Sequence, residues 1–194
     1  MIVGVLLAAG AASRFGGNKL LQVLPDGMPM GVAAARNLLQ GVDQAIAVVR
    51  AGDNELARLL RAAGMRVEVC ESAAQGMGES LAHGVCSSRD AAGWLVALAD
   101  MPYIQGETIR DVARLIEAGA AIAAPVHGGK RGHPVGFSRD FFDALSRLDG
   151  DCGARELLAK NSAYIRLLSC DDPGVLADID TPQDLALHTR KHRL

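Results

Sequence analysis

Positive charge is not in excess in this sequence. Lys and Arg number 20 against 22 Asp and Glu, for a formal net charge of −2 and a pI near 6.2. A nucleic-acid partner usually demands a basic face, so none is expected. The run Arg190 to Arg193 lies at the extreme C-terminus and reads as a solvated tail. Long apolar runs are missing too, and no stretch reaches membrane-spanning length. Met1 to Gly10 is apolar but short. It has no basic leading region and no small-residue cleavage site, so it does not read as a signal peptide. Cysteine is scarce: Cys70, Cys86, Cys152 and Cys170 stand far apart with no C-x-x-C pair. That spacing argues against a zinc site and against a disulfide framework. These residues read as buried, reduced thiols of a cytoplasmic protein. Linkers, internal repeats and low-complexity tracts are also absent, which points to one domain over residues 1–194.

What is present is apolar material in an alternating order. The chain has 194 residues, 49% of them hydrophobic, enough for one domain with a sizeable core. Ile2 to Leu7 is a continuous apolar run with β-branched residues, the pattern of a buried strand. Gln44 to Val49 and Trp94 to Ala99 repeat it, Arg66 to Cys70 alternates like a short strand, and Ala120 to Ala124 adds another. Helical stretches fall between them. They are Met30 to Gln40, closed by Gly41; Glu55 to Ala63, capped by Asp53 and stopped by Gly64; Glu79 to Ser87; and Glu107 to Ala118, ending at Gly119. Such alternation predicts a mostly parallel sheet with helices on both faces. Beyond Pro125 the pattern changes. His127-Gly128-Gly129-Lys130 predicts a turn, and Gly132 to Phe137 a hairpin-like insertion beside the sheet. Arg139 to Leu148 and Ala154 to Lys160 predict short helices, and Tyr164 to Leu168 a strand. Thr181 and Pro182 open a last helix as N-cap and first helical residue.

In parallel α/β sheets, ligands bind beyond the carboxyl ends of the strands. The first strand ends in Leu7-Ala8-Ala9-Gly10, where small side chains let backbone amides approach phosphate oxygens or a base edge. Arg14 and Lys19 add positive charge in the same loop, and Gly16 and Gly17 turn the chain between them. Arginine grips phosphate with two donors, while lysine acts as a mobile point charge. The bland alternative is an ordinary turn with two solvated bases, and the loop matches neither the Walker pattern nor G-x-G-x-x-G. Phosphoryl chemistry also calls for a divalent cation. Magnesium favours one or two carboxylates plus phosphate oxygens. Asp100 follows the strand Trp94 to Ala99 and so faces the crevice; a turn role in Asp-Met-Pro is the alternative. Asp178 and Asp180 would share one side of a strand. One can ligate metal while the other caps or orients, with Asp180 favoured. Asp184 suits the first turn of the last helix. Gln75 to Ser80 sets a glycine loop before a helix, where amides and the Ser80 hydroxyl can meet an anion; helix capping is the alternative.

Taken in order, these segments resemble the molybdenum cofactor nucleotidyltransferases. Leu7 to Lys19 is similar to that family's loop L-A-A-G-x-S-x-R-M-G-x-x-K, with Ala12 in place of Ser and Phe15 in place of Met. Ala99-Asp100-Met101-Pro102 resembles its metal-binding A-D-x-P turn, and Gly76 to Ser80 its G-x-G-x-S stretch near base and ribose. Asp178 to Asp184 is similar to its D-I-D-T-P-x-D motif. Arg131 to Phe137 resembles the R-G-H-P-V-x-F motif of the cytidylyltransferase branch, and Gly150 to Arg155 a further stretch, G-D-x-G-A-R.

The resemblance implies a nucleotide-diphospho-sugar transferase type of fold, a Rossmann-like three-layer α/β sandwich. It implies transfer of CMP from CTP to the terminal phosphate of molybdopterin cofactor, with release of pyrophosphate and dependence on Mg2+. Residue by residue, Arg14, Lys19 and Asp100 are the implied catalytic groups, the first two contacting the triphosphate. Leu7, Ala8, Ala9, Gly10, Gly76 and Ser80 would surround the nucleotide. Asp100 with Asp180 or Asp178 would hold the metal, and His133, Pro134 and Asp151 would face the acceptor. His133 either lines that pocket or orients a loop; Asp151 either positions the acceptor or caps a helix. Ala9, where the guanylyl branch usually has Gly, and the His133 motif favour CTP. One alternative is a guanylyl- or other small-phosphate nucleotidyltransferase. Another class is a non-catalytic chaperone for a client molybdoenzyme, which predicts lost loop charges or carboxylates; Arg14, Lys19, Asp100 and Asp180 are all present.

Overall fold

The computed structural model describes residues 1–10, 18–151, 153–181 and 183–185. These form β1 (Ile2–Leu7), α1 (Met30–Gly41), β2 (Gln44–Arg50), α2 (Asn54–Ala62), β3 (Arg66–Cys70), α3 (Met77–Cys86), β4 (Gly93–Leu98), α4 (Gly106–Glu117), β5 (Ile122–His127), β6 (Lys130–Arg131), β7 (Val135–Ser138), α5 (Phe142–Ser146), α6 (Arg155–Lys160) and β8 (Ile165–Ser169). The strands make one eight-stranded sheet in the order β3-β2-β1-β4-β7-β5. β6 and β8 lie on opposite sides of β5, since Val126 pairs with Arg131 on one and Ser169 on the other. β1 runs parallel to both neighbours, β2 and β4. Only β6 and β7 run antiparallel.

The apolar run of β1 works by alternation. Ile2 and Leu6 pack into one core with Leu38 of α1, Leu56 and Leu60 of α2, and Ile109 and Val112 of α4. Val3, Val5 and Leu7 point the other way, into a second core with Leu81 and Val85 of α3, Trp94, Phe137 and Leu145 of α5. Successive strand side chains leave on opposite faces, so a strand covered on both sides must be apolar throughout. The result is the expected mostly parallel three-layer α/β sandwich. No helix among the described residues is long and apolar enough to cross a membrane.

Several expectations change in detail. Gly41 belongs to α1 itself, and Val42 is the residue that caps the helix. A Cβ on Gly41 would lie 2.4 Å from Ile109 Cγ2. Its smallness therefore serves the close packing of α1 on α4. Asp53 stands at the N-cap of α2, but its side chain accepts from Arg50 Nε at 2.9 Å and makes no cap bond. The stretch Arg139 to Leu148 is a 3-10 turn followed by the short α5. Arg139 donates to the carbonyls of Ala91, at 2.8 Å, and Arg89, which holds the turn against the start of β4. Tyr164 closes a 3-10 turn, and the last strand begins one residue later. Cys70 is buried, whereas Cys86 is exposed at the end of α3; Cys152 lies outside the described residues.

The insertion after Pro125 is not beside the sheet but inside it. Gly128 and Gly129, with φ of 54° and 76°, form the two-residue turn between β5 and β6, the conformation that suits a tight hairpin. The return strand then slips. Val126 pairs with Arg131, but Ile122 pairs with Phe137. The extra residues bulge out at Gly132-His133-Pro134, where the His133–Pro134 peptide is cis. Phe137 is fully buried, and that burial seats β7 between β4 and β5.

Gly41→Ala should lower stability by about 1–3 kcal/mol through overpacking of α1 against α4. Urea unfolding checks it: the midpoint falls with little change in slope. An unchanged midpoint would contradict the close contact.

Candidate active site

Connections from β1 run outward through β2 to β3, then return to β4 on the other side of β1. Such a reversal leaves a crevice at the carboxyl ends of the two central strands. A cleft of about 660 Å³ opens there, lined by Leu7, Ala9, Gly10, Lys19, Arg50, Glu71, Gly76, Ser80, Asp100, Asp151 and Asp180 among others. That size suits a small ligand. Ala8 and Ala9 are buried. A Cβ on Gly10 would meet nothing within 4 Å, so this backbone faces open space. Arg14, with Ala12, Phe15, Gly16 and Gly17, lies outside the described residues.

Lys19 begins a 3-10 turn, Lys19–Leu21, fastened by Asn18, whose Oδ1 accepts from the Leu20 N–H at 3.1 Å. Leu20 is buried. The turn delivers the Lys19 ammonium to two carboxylates at once: it donates to Asp100 Oδ2 and to Asp180 Oδ1, each at 2.9 Å. Burial opposes the charge on Lys19 and is the largest single influence. Hydrogen bonds and charge from Asp180 and Asp100 together outweigh it, and the pKa is raised. Asp100 Oδ1 is buried and has no hydrogen-bond partner among the described residues.

The acidic pair is held by backbone. The Ile179 N–H donates to the Asp100 carbonyl at 3.0 Å, tying the late motif to the end of β4. Residues 177–180 do not form the strand on which Asp178 and Asp180 were expected to share one side. Ile179 is buried between them; Asp180 lines the cleft and Asp178 does not. Asp184 does more than meet a helix dipole. Its Oδ2 accepts from the backbone N–H of Asp180 at 3.1 Å and of Thr181 at 2.8 Å, while Thr181 Oγ1 accepts from the Asp184 N–H at 3.2 Å. This reciprocal cap fixes the segment that carries Asp180. Pro182 lies outside the described residues.

The glycines at the start of α3 have a structural partner. The Gly78 N–H donates to the Gly150 carbonyl at 2.8 Å, so that amide is not free for an anion. A Cβ on Gly76 would lie 2.1 Å from the Gly150 carbonyl carbon, and one on Gly78 2.3 Å from the Asp149 carbonyl oxygen. The Gly76 and Gly150 motifs are thus two halves of one contact, which brings Ser80 and Asp151 to the same cleft. His133 and Pro134 do not line it. The His133 N–H donates to the Val175 carbonyl at 2.9 Å, and Gly132 lies against that same carbonyl. This turn braces the 3-10 turn Pro173–Leu176, which leads toward Asp180. Burial lowers the His133 pKa, against the opposing pull of the Asp100 charge. Arg50 and Glu71 were not anticipated in the cleft. Arg50 ends β2 at the same edge of the sheet, and that strand-end position was the available signal.

Residues 4–166 match the MobA-like NTP transferase domain. The chain belongs to that family. It is 29% identical to the purine catabolism protein PucB of Bacillus subtilis, over 94% of this chain and 93% of that one. It is 28% identical to the nicotine blue oxidoreductase of Paenarthrobacter nicotinovorans, over 95% and 94%. Among solved structures, a nucleotidyl transferase from Methanothermobacter aligns with a TM-score of 0.83 and 25% identity over 99% and 97% of the two chains. Rv0371c of Mycobacterium tuberculosis, in a complex with manganese, aligns at 0.79 and 28% over 97% and 98%. The fold is that of the nucleotide-diphospho-sugar transferases, and the chain is a nucleotidyltransferase that binds a nucleoside triphosphate. The two curated relatives carry different functions in their names, so likeness at this level does not fix the acceptor.

The buried His133 gives a pH test. The unfolded chain takes up a proton near the ordinary histidine value of 6.5 that folded His133 resists. Its contribution to stability is complete above that value and declines as pH falls below it. His133→Gln should therefore flatten the loss of stability between pH 7.5 and 5.5 in urea titrations. An identical slope in the variant would count against it.

Proposed function

We propose that this protein transfers CMP from CTP to the terminal phosphate of molybdopterin cofactor and releases pyrophosphate, with Mg2+ as its cofactor. The observation that carries the reading is the cluster of Lys19, Asp100 and Asp180 at the mouth of the cleft. The donor set fits magnesium. Asp100 offers a buried oxygen without a partner among the described residues, and Asp180 a second carboxylate. No group of three or more His, Cys, Asp or Glu among the described residues could hold a metal. An ion there would complete its shell from bound phosphate and water, as magnesium prefers. The manganese in the Rv0371c structure supports a divalent site. When bound, the ion would neutralise charge on the reacting phosphates.

The chain's own residues then divide the work. Leu7 to Gly10 present small side chains and backbone to the nucleotide, with Gly76 and Ser80 on the facing side. Lys19 and Arg14, the latter assigned by the loop motif, stabilise charge that grows on the triphosphate as the acceptor oxygen attacks the α-phosphorus and the bond to pyrophosphate breaks. The attacking phosphate is already ionised near pH 7, so no strong base is required. Asp151 lines the cleft and suits a positioning role toward the acceptor. His133 and Pro134 act from behind, through the turn that leads toward Asp180. Ala9 and the Arg131 to Phe137 motif support cytidine over guanosine.

Pyrophosphate release measured with each nucleoside triphosphate and molybdopterin cofactor tests the assignment. CTP should be preferred, and EDTA should abolish turnover. A clear preference for GTP, or no turnover with cofactor bound, would replace the reading. Lys19→Ala should lower turnover about 10²–10³-fold while the protein remains folded by circular dichroism; near-normal pyrophosphate release would sink the mechanism.

A further inference from the structure

The Lys19 ammonium stands where a divalent ion would take its protein ligands. It donates to one oxygen of each carboxylate such an ion would use, Asp100 Oδ2 and Asp180 Oδ1, each at 2.9 Å. The two oxygens therefore lie within about twice that distance of each other. Magnesium binds oxygen at about 2.0–2.1 Å, so a modest inward movement of both carboxylates would close on an ion. An ammonium bonded to both oxygens prevents that closure and repels the ion besides.

We infer that in the nucleotide-free protein Lys19 occupies the cation position between Asp100 and Asp180 and keeps a divalent ion out until a triphosphate draws the ammonium away. This rests on the nucleotidyl-transfer reading and adds an order to it: metal and triphosphate enter together, and metal alone is disfavoured. Two observations support the exclusion. Lys19 is partly buried, with 12% side-chain exposure against 46% for Asp180, so it is the better-sheltered partner. Its stem of four methylenes starts at the end of the Leu7 to Lys19 loop, from which it can swing toward a bound phosphate without moving the sheet.

Binding of Mn2+ alone, followed by the free-ion EPR signal in the absence of nucleotide, tests this. Lys19→Met should bind one Mn2+ tighter than wild type by about tenfold or more, because the competitor is gone. Lys19→Arg, which keeps the charge, should remain within about threefold of wild type. Arg50→Gln removes a different positive charge from the cleft and should change the affinity by less than about twofold. If Lys19→Met does not fold, Lys19→Gln serves, and the rise in Tm on adding Mn2+ gives a second reading of the same affinity. Adding Asp100→Asn to the Lys19→Met protein should abolish the gain. The inference falls if Lys19→Met binds Mn2+ no tighter than wild type while Asp100→Asn still removes binding, or if Arg50→Gln tightens binding equally. Binding by Lys19→Met that survives both Asp100→Asn and Asp180→Asn would overturn the metal reading itself, and the inference with it.

Discussion

Two carboxylates that share one ammonium must be carried by backbone that cannot retreat from them. Asp100 comes from the end of β4, Asp180 from a segment far along the chain, and Lys19 from the loop after β1. In water the two acids would separate. Here the Ile179 N–H bond to the Asp100 carbonyl locks the two acidic segments together, and the turn at Asn18 sets the lysine between them. The charge at the mouth of the cleft follows from that three-way contact.

The surrounding motifs make sense as supports for it. Gly76 and Gly78 lie against the backbone of Asp149 and Gly150 at distances no side chain would allow, and Gly132 does the same at Val175. Each such pair joins segments distant in sequence at a point where a methyl group would force them apart. The His133 turn is one of these supports. It holds the approach to Asp180 from outside the cleft, while Asp184 fixes the other flank through the backbone N–H of Asp180 and Thr181.

Membership of the MobA-like family establishes a nucleoside triphosphate as ligand and leaves the acceptor open. Under the proposed function, the pair of acids, the lysine and the small-residue loop address charge that all triphosphates share, and choice of base and acceptor falls to groups such as Arg50, Glu71, Ser80 and Asp151, which line the rest of the cleft.

Much of this was legible in the residues alone. The apolar runs named β1, β2 and β4, because a strand buried on both faces must be apolar throughout, and their alternation with helices implied the parallel sheet. Lys19, Asp100 and Asp180 could be singled out because charge placed just beyond a buried strand, or beside a helix cap, suits a phosphate or metal site, with a solvated turn or a cap as the alternatives. What the tertiary structure alone decided was mutual geometry. That Asp180 meets Lys19 depends on the Ile179 N–H bond to the Asp100 carbonyl, a contact across the fold that local periodicity does not encode. That β7 enters the sheet depends on burying Phe137 between distant strands. That the Gly78 amide meets Gly150 and not an anion depends on a contact across the fold. Local sequence determines which backbone shapes and charges are available; long-range packing determines which of them meet.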